Sequence, residues 1–452
     1  MIIIIAASLA THFAFFGHPK ETVFDEVHFG KFVSGYFTHE YFFDIHPPLG
    51  KLLISAAGWI GGYRPGFSFS EIGQEFGDLT YLWLRFLPTL AGVIFPIVIF
   101  FLGRRFSFSN LAAFSAASFI ILENSILVQA RYILLDQFLL LFGFSSLLFY
   151  LRYRQEGKFG SLAIAGLFGA LAMSIKWTGA TFLALIFIAE AVNLLFKKEL
   201  GNARSILSVI INLIAVPLVV YVSFFAIHLG LLGKSGPCDA FMSPSFQKSL
   251  SGSIYQNDSV IQKKDLWGKI RELNVVMYTA NANLKSEHPY SSQWYTWPFM
   301  ARPIYYWFKA SNDAQSPGAS RIYFLGNPLI WWASSITVLF AIITALSRGL
   351  VFRGEKPLER PTFNILLGGF VLNLLPFLSI SRVMFLYHYL AALVFAILML
   401  CYLVDCLRQR KIIFGTLIIL SIALFIFFAP LSYGLNLSDK AYELRVWLPS
   451  WK

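Results

Sequence analysis

The chain has 452 residues, of which 57% are hydrophobic, 17% aromatic and only 13% charged; its mean hydropathy is +0.64. A soluble protein needs roughly a quarter of its residues charged to cover its surface. Here the apolar residues arrive in long blocks, so the absent polar surface must face lipid. The net charge of +12 does not point to nucleic acid, because the cations sit in small clusters between apolar blocks. Cys238, Cys401 and Cys406 have no metal-ligand spacing and indicate no disulfide framework.

A membrane helix needs about 20 mostly apolar residues. Residues 2–16 form the first candidate span, whole or shortened at its beginning; with no basic leader region and no small-residue cleavage site, they do not read as a signal peptide. A polar segment, 17–80, follows. Six further spans are expected near 81–103, 110–127, 131–151, 160–175, 178–196 and 205–232. The second long polar segment, 233–325, holds one amphipathic stretch at about 264–284, expected as a helix on the membrane surface. Spans near 326–346, 362–380, 383–404 and 412–430 precede a polar tail, 431–452. The expectation is an all-α integral membrane protein of about eleven spans, forming one polytopic domain over residues 1–452.

Basic clusters orient it. Arg104 and Arg105; Arg152, Arg154 and Lys158; Lys197, Lys198 and Arg204; Arg348, Arg353, Lys356 and Arg360; and Arg408, Arg410 and Lys411 each follow an even-numbered span. If these loops are cytoplasmic, segments 17–80 and 233–325 and the tail all lie on the outer face.

The first outer segment reads FDEVHFGKFVSGYFTHEYFFDIHPPLGKLLI. Its adjacent Asp25 and Glu26 have two readings: a solvated surface pair, or partly shielded carboxylates of raised pKa, one of them a general base. Further on, Asp44 and His46 precede Lys51, with His46-Pro47-Pro48 readable as a stiff turn that starts a surface helix. Arg85, Arg131, Lys176 and Arg382 all map to the outer membrane boundary, where cations are scarce. Any one could snorkel to headgroups. As a set they are better explained by an anionic ligand, and a lipid phosphate lies at that depth.

Asp136 falls within the fourth span, on the helix face of Tyr132, and Tyr387 and His388 within the tenth. Intramembrane ionisable groups face a partner or a cavity, and pairing with a neighbouring helix or a direct catalytic role would each account for Asp136. Trp294 and Trp297 fit either an interfacial aromatic belt or a sugar-stacking platform. There is no phosphate-binding glycine loop, dinucleotide fingerprint, zinc-ligand set or nucleophile elbow.

FDEVHFGKF with YFFDIHPPLGKLL, then LRFLPTLAG, ARYILLDQFL, SIKWTG, HPYSSQWYTWP, SRVMFLYHYLAAL and YELRVWLPSW together resemble the protein O-mannosyltransferase family, of the GT-C glycosyltransferase type. The resemblance implies an eleven-span GT-C fold with a cytoplasmic N-terminus. It also implies polyprenyl- or dolichyl-phosphate mannose as donor, Ser or Thr of an unfolded or translocating polypeptide as acceptor, and no required cofactor or metal. By the same resemblance Asp25 and Glu26 are the acidic pair of the site. Arg85 is the functional arginine of the second span, and Arg131 and Arg382 contact the donor phosphate. Asp25 would take the acceptor proton, while Glu26 would orient the acceptor or hold a cation such as Arg85. Eukaryotic members form dimers, and an association with the translocon would also fit. They carry a large MIR domain between the seventh and eighth spans, which here is replaced by residues 233–325 alone. This short form resembles prokaryotic members and implies a plasma membrane rather than an endoplasmic reticulum location, despite sequon-like triplets at Asn257 and Asn436. The rival readings are another GT-C transferase with a different lipid-linked sugar or a glycolipid acceptor, and, further off, a lipid or sugar transporter.

Overall fold

A computed structural model describes residues 1–196, 203–283, 288–311, 317–347, 354, 357–380 and 382–452. Helices α1 (Ile2–Phe13), α2 (Glu26–Thr38), α3 (Leu49–Ile60), α4 (Tyr81–Arg105), α5 (Asn110–Ile121) and α6 (Asn124–Ala130) come first. They are followed by α7 (Asp136–Glu156), α8 (Phe159–Ile175), α9 (Ala180–Phe196), α10 (Ala203–Ile210), α11 (Val216–Leu231), α12 (Pro244–Gln247) and α13 (Leu266–Asn283). The chain finishes with α14 (Pro328–Leu346), α15 (Arg360–Leu374), α16 (Leu390–Asp405), α17 (Arg410–Tyr433) and α18 (Asp439–Glu443).

Each expected span contains a helix, but not each helix is long and apolar enough to cross a bilayer. Among the described residues six are: Tyr81–Arg105, Ile206–Leu231, Pro328–Leu346, Arg360–Ser379, Leu386–Asp405 and Arg410–Tyr433. The pair α5 and α6, bent by 59°, makes up to seven. The count of eleven is therefore not established. α1 has 12 residues and α8 and α9 have 17 each, short of the ~20 that a bilayer requires. Helix α7 is long enough, at 21 residues, but carries Asp136 at one end and Arg152 and Arg154 at the other.

Two local expectations change. The fourth span does not begin at Arg131: residues 131–135 are a non-helical break, and α7 starts at Asp136. Tyr132 and Asp136 consequently share no helix face. The second polar segment also contains strands. β1 (Ile304–Ala310) pairs antiparallel with β2 (Ala319–Phe324), which pairs with β3 (Asn436–Leu437) from the tail. The aromatic run IYYWF of β1 suits a pleated, half-buried surface, and Trp307 Nε1 donates to Glu21 of the first outer segment at 2.8 Å. The amphipathic stretch is α13, whose Ile270, Leu273 and Met277 pack with Phe42, Phe225 and Leu229; Leu284 lies outside the described residues.

Charge is distributed along α4. Arg85 stands near its start and Arg104 and Arg105 at its end, which at about 1.5 Å per residue puts them roughly 30 Å apart. Around Arg105 gather Glu156 at 2.8 Å and, on the same carboxylate, Arg152 at 3.1 Å. Asp405 joins Arg410 at 3.5 Å to Ser109, whose N–H it accepts at 2.9 Å. Three of the expected basic clusters thus belong to one end of the bundle. Lys197, Lys198, Arg348, Arg353 and Lys356 lie outside the described residues.

Between α10 and α11 the helix widens into a π turn, Ile211–Ala215. There the Asn212 carbonyl presses on α8 so closely that a Cβ at Gly166 would lie 1.8 Å from its oxygen. Backbone cannot swing aside as a side-chain tip can. Gly166→Ala is expected to cost about 1–3 kcal/mol, read as a lowered unfolding temperature in detergent.

Candidate active site

The adjacent carboxylates of the first outer segment point to different places. Glu26, at the first turn of α2, is fully buried. Its Oε1 accepts from Arg85 Nε at 2.7 Å and from the Ile133 N–H at 3.0 Å; its Oε2 accepts from Arg85 Nη2 at 2.6 Å and the Val23 N–H at 2.8 Å. Arg85 gives its remaining N–H groups to the carbonyls of Gly17, Pro19 and Glu21 at 2.7–3.0 Å. All five guanidinium donors are thereby used, between the rings of Phe76, Tyr81 and Tyr132. Arg85 has no donor left for a lipid phosphate, and Glu26 is a positioning residue, clamping the first outer segment to α4 and to the break before α7. It does hold Arg85, one of its two expected roles.

Protein carbonyls take three of the five N–H groups of Arg131. Its Nη1 donates to the carbonyls of His12 and Ala14 at 2.8 and 2.6 Å, and its Nη2 to Phe15 at 2.8 Å. These carbonyls lie at and just beyond the C-terminal end of α1, where a cation is favoured. Arg131 thus caps α1, and it is not among the residues lining the cavity described below.

Asp25 differs from its neighbour. It is half-buried, and its carboxylate accepts no hydrogen bond from a described residue. Burial, set against the nearby Lys176 and reinforced by Asp136 and Asp44, pushes its pKa up to about 7. That is a suitable value for a general base at neutral pH. Asp44 is instead paired with Lys51, which also donates to the carbonyls of His46 and Pro47 at 2.9 and 3.2 Å and fixes the turn into α3.

A cavity of about 500 Å³ is lined by Lys176 and Asp136, two of the charged groups that act on Asp25, although Asp25 itself is not among its lining residues. Its lining combines polar groups, His46, Asp136, Lys176, Arg382, Tyr387 and His388, with apolar ones, Leu139 and Leu140 of α7, Leu372 of α15 and Leu390 of α16. Lys176 follows the end of α8 and pairs with Asp136 at 2.7 Å, which gives Asp136 the pairing role. Its ammonium also stands 5.2 Å from the Tyr387 ring centre. Arg382 Nη1 donates to Asn281 Oδ1 at 2.5 Å, and its Nη2 lies 3.3 Å from His388 Nε2. His388 Nδ1 meets both the Phe385 N–H, at 3.1 Å, and the Phe385 carbonyl, at 2.9 Å, which holds the ring against the start of its own turn. His46 registers the surrounding charge: burial, then Lys176, Lys51, Arg382 and His388, push its pKa well below the ordinary value. A neutral imidazole among cations makes this a place for an anion.

Trp294 and Trp297 do not line the cavity, although Trp177 does. Trp297 is buried behind His388, its ring nearly parallel at 5.8 Å, and donates to Ser292 at 3.0 Å. Trp294 meets Tyr295 edge-on. Neither is placed as a sugar platform. Sequence reading passed over Asn281, which also donates to the Ile45 carbonyl at 3.0 Å. The available signal was its seven-residue spacing from Asn274 on one face of α13. Among the described residues, no group of three His, Cys, Asp or Glu side chains could hold a metal ion.

A polytopic helical protein with a partly apolar cavity, lined by cations one of which acts on a shielded carboxylate, has the form of a membrane glycosyltransferase of the GT-C class. Solved structures share the fold. The S. cerevisiae protein O-mannosyltransferase Pmt1-Pmt2 complex bound to the sugar donor superposes with a TM-score of 0.89 at 20% identity, covering 100% of this chain and 92% of that one. The oligosaccharyltransferase of Archaeoglobus fulgidus in its apo form gives 0.53 at 13% identity, over 99% of this chain and 57% of that one. Residues 2–232 match the dolichyl-phosphate-mannose-protein mannosyltransferase family, and residues 266–451 match the C-terminal four-helix membrane region of protein O-mannosyltransferases. The chain belongs to the protein O-mannosyltransferase family. It is 35% identical over 253 residues to protein O-mannosyl-transferase 1 of Mus musculus, covering 52% of this chain and 34% of that protein. It is also 35% identical over 258 residues to dolichyl-phosphate-mannose–protein mannosyltransferase 1 of Candida albicans, covering 53% of this chain and 29% of that protein. The aligned part therefore spans about a third of the length of these relatives. Both are eukaryotic and lend no support to a plasma-membrane location.

Proposed function

We propose that this protein transfers mannose from a polyprenyl- or dolichyl-phosphate carrier to Ser or Thr hydroxyls of exported or membrane polypeptides. The observation that carries the reading is the cavity: Lys176 and Arg382 line it together with apolar side chains of α7, α15 and α16, and the charge of Lys176 reaches Asp25. A lipid phosphate needs both kinds of lining, cations for the head and apolar groups for the chain. Asp25 takes the proton of the acceptor hydroxyl as its oxygen bonds to the anomeric carbon. The bond from that carbon to the phosphate oxygen breaks, and polyprenyl phosphate leaves with the electron pair. Lys176 and Arg382 neutralise the charge that develops there. Attack opposite the phosphate inverts a β-linked donor to an α-mannoside. No step of this scheme passes through a metal. An extracytoplasmic site is part of the same proposal, supported by Arg104 and Arg105 standing at the far end of α4 from Arg85 and by positive-inside bias. Pairing with a second chain of the family belongs to the same proposal.

Purified protein in liposomes, given labelled polyprenyl-phosphate mannose and a Ser/Thr-rich peptide, is the direct test. Peptide labelling supports the reading; labelling only from another lipid-linked sugar, or only of a lipid, overturns the substrate. Arg382→Ala removes a charge-assisted bond worth about 1.5–3 kcal/mol. It is expected to weaken inhibition by sugar-free polyprenyl phosphate roughly 10- to 100-fold. Unchanged inhibition removes Arg382 from the phosphate site.

A further inference from the structure

Gln129, on α6, is 1% exposed and is not among the residues lining the cavity, yet both ends of its amide are engaged. A carboxylate accepts only, so the Gln129 Nε2 must face Asp136 Oδ2, at 2.6 Å. The amide oxygen is thereby turned to Tyr306, whose hydroxyl donates to it at 2.6 Å. Beyond Asp136, the other carboxylate oxygen accepts from Lys176 at 2.7 Å. Beyond Tyr306, the chain of contacts reaches the first outer segment. The Tyr306 ring lies flat on Phe24, centroids 3.9 Å apart and planes at 6°, and the Tyr306 carbonyl accepts the Phe24 N–H at 3.1 Å. Asp25 is the next residue.

We infer that Gln129 is a positioning residue that holds the base Asp25 in register with the phosphate cation Lys176, through Tyr306 and Phe24 on one side and Asp136 on the other. The inference rests on the reading of the site given above. In-line displacement needs the attacking oxygen, the anomeric carbon and the leaving oxygen on one axis. The groups serving its two ends come from separate segments, the loop before α2 and the end of α8. Each hydrogen bond between them has one permitted direction, and Tyr306, Gln129 and Asp136 are all buried, so the path is stiff. A buried amide can also be satisfied merely to stabilise the core; kinetics separates the two roles.

Gln129→Leu, Tyr306→Phe and the double variant are compared with the parent for kcat, donor KM and unfolding temperature. Loss of register is expected to lower kcat of Gln129→Leu by ~10- to 100-fold, with donor KM little changed because the Lys176–Asp136 pair persists. Tyr306→Phe keeps the ring stack and is expected to lower kcat by a smaller factor. The double variant should fall no further than Gln129→Leu, since the bond is already gone. Parental kcat in Gln129→Leu overturns the inference, as does a double variant in which the losses multiply. If Gln129→Leu does not fold, Tyr306→Phe decides: reduced kcat at an unchanged unfolding temperature supports the register, and parental kcat overturns it. Transfer by the parent tests the reading of the site separately. If the parent uses another lipid-linked sugar, the same ratios are measured on that donor.

Discussion

Asp25→Asn is expected to lose about 10²- to 10⁴-fold in transfer rate while keeping its fold and its affinity for lipid phosphate. The amide nearly matches the carboxylate in shape, and no hydrogen bond from a described residue depends on the charge. The parent should also show a pH dependence with a definite sign. Burial holds the Asp25 carboxyl protonated up to about pH 7, and only its ionised form can accept the hydroxyl proton. Activity should therefore rise as pH increases through about 7 and level off above it. Measuring kcat/KM for the acceptor in liposomes between pH 5.5 and pH 8.5 (a range centred roughly on that value) reads this limb directly. A folded Asp25→Asn protein of near-parental turnover, or a parent rate that falls across the range, removes Asp25 as the base.

The second large effect is on folding. Arg85→Ala leaves Glu26 fully buried with no cation, and breaking a buried pair from one side costs about 3–5 kcal/mol. Arg85→Lys is expected to recover little, because an ammonium cannot reproduce the planar fork that serves Glu26 and the carbonyls at Gly17, Pro19 and Glu21 together. Unfolding temperatures in detergent should drop strongly for the Ala variant, and whatever protein stays folded should keep the parental donor KM. Parental stability with a raised donor KM would return Arg85 to the phosphate site.

Arg85, Arg131, Lys176 and Arg382 were legible in the sequence as cations out of place at one membrane boundary. Their partners were not. A guanidinium at that depth can meet a carboxylate, the open carbonyls of a helix end, or a cavity, and span positions are the same in each case. Two of the four proved to hold protein to protein, and Lys176 and Arg382 line the cavity. Asp25 and Glu26 show the same limit at closer range: one residue apart, they differ because α2 begins between them and turns Glu26 into the core. Gln129 and Tyr306 carried no signal at all, since the hydrogen bond between them joins residues 177 apart.

By composition and block length the sequence alone determined that this chain lives in a membrane, where its apolar segments run and which loops carry the basic clusters. These follow from the hydration cost of each residue, which is local. Only the tertiary structure decided which apolar helices face lipid and which face protein. The span Leu386–Asp405 is 89% buried and Ile206–Leu231 only 17% buried, although both are strongly hydrophobic. A helix apolar on every side satisfies either surrounding, so its own residues cannot express the choice. The neighbours make it, and they also decide where the cavity forms and which charges remain free to use it.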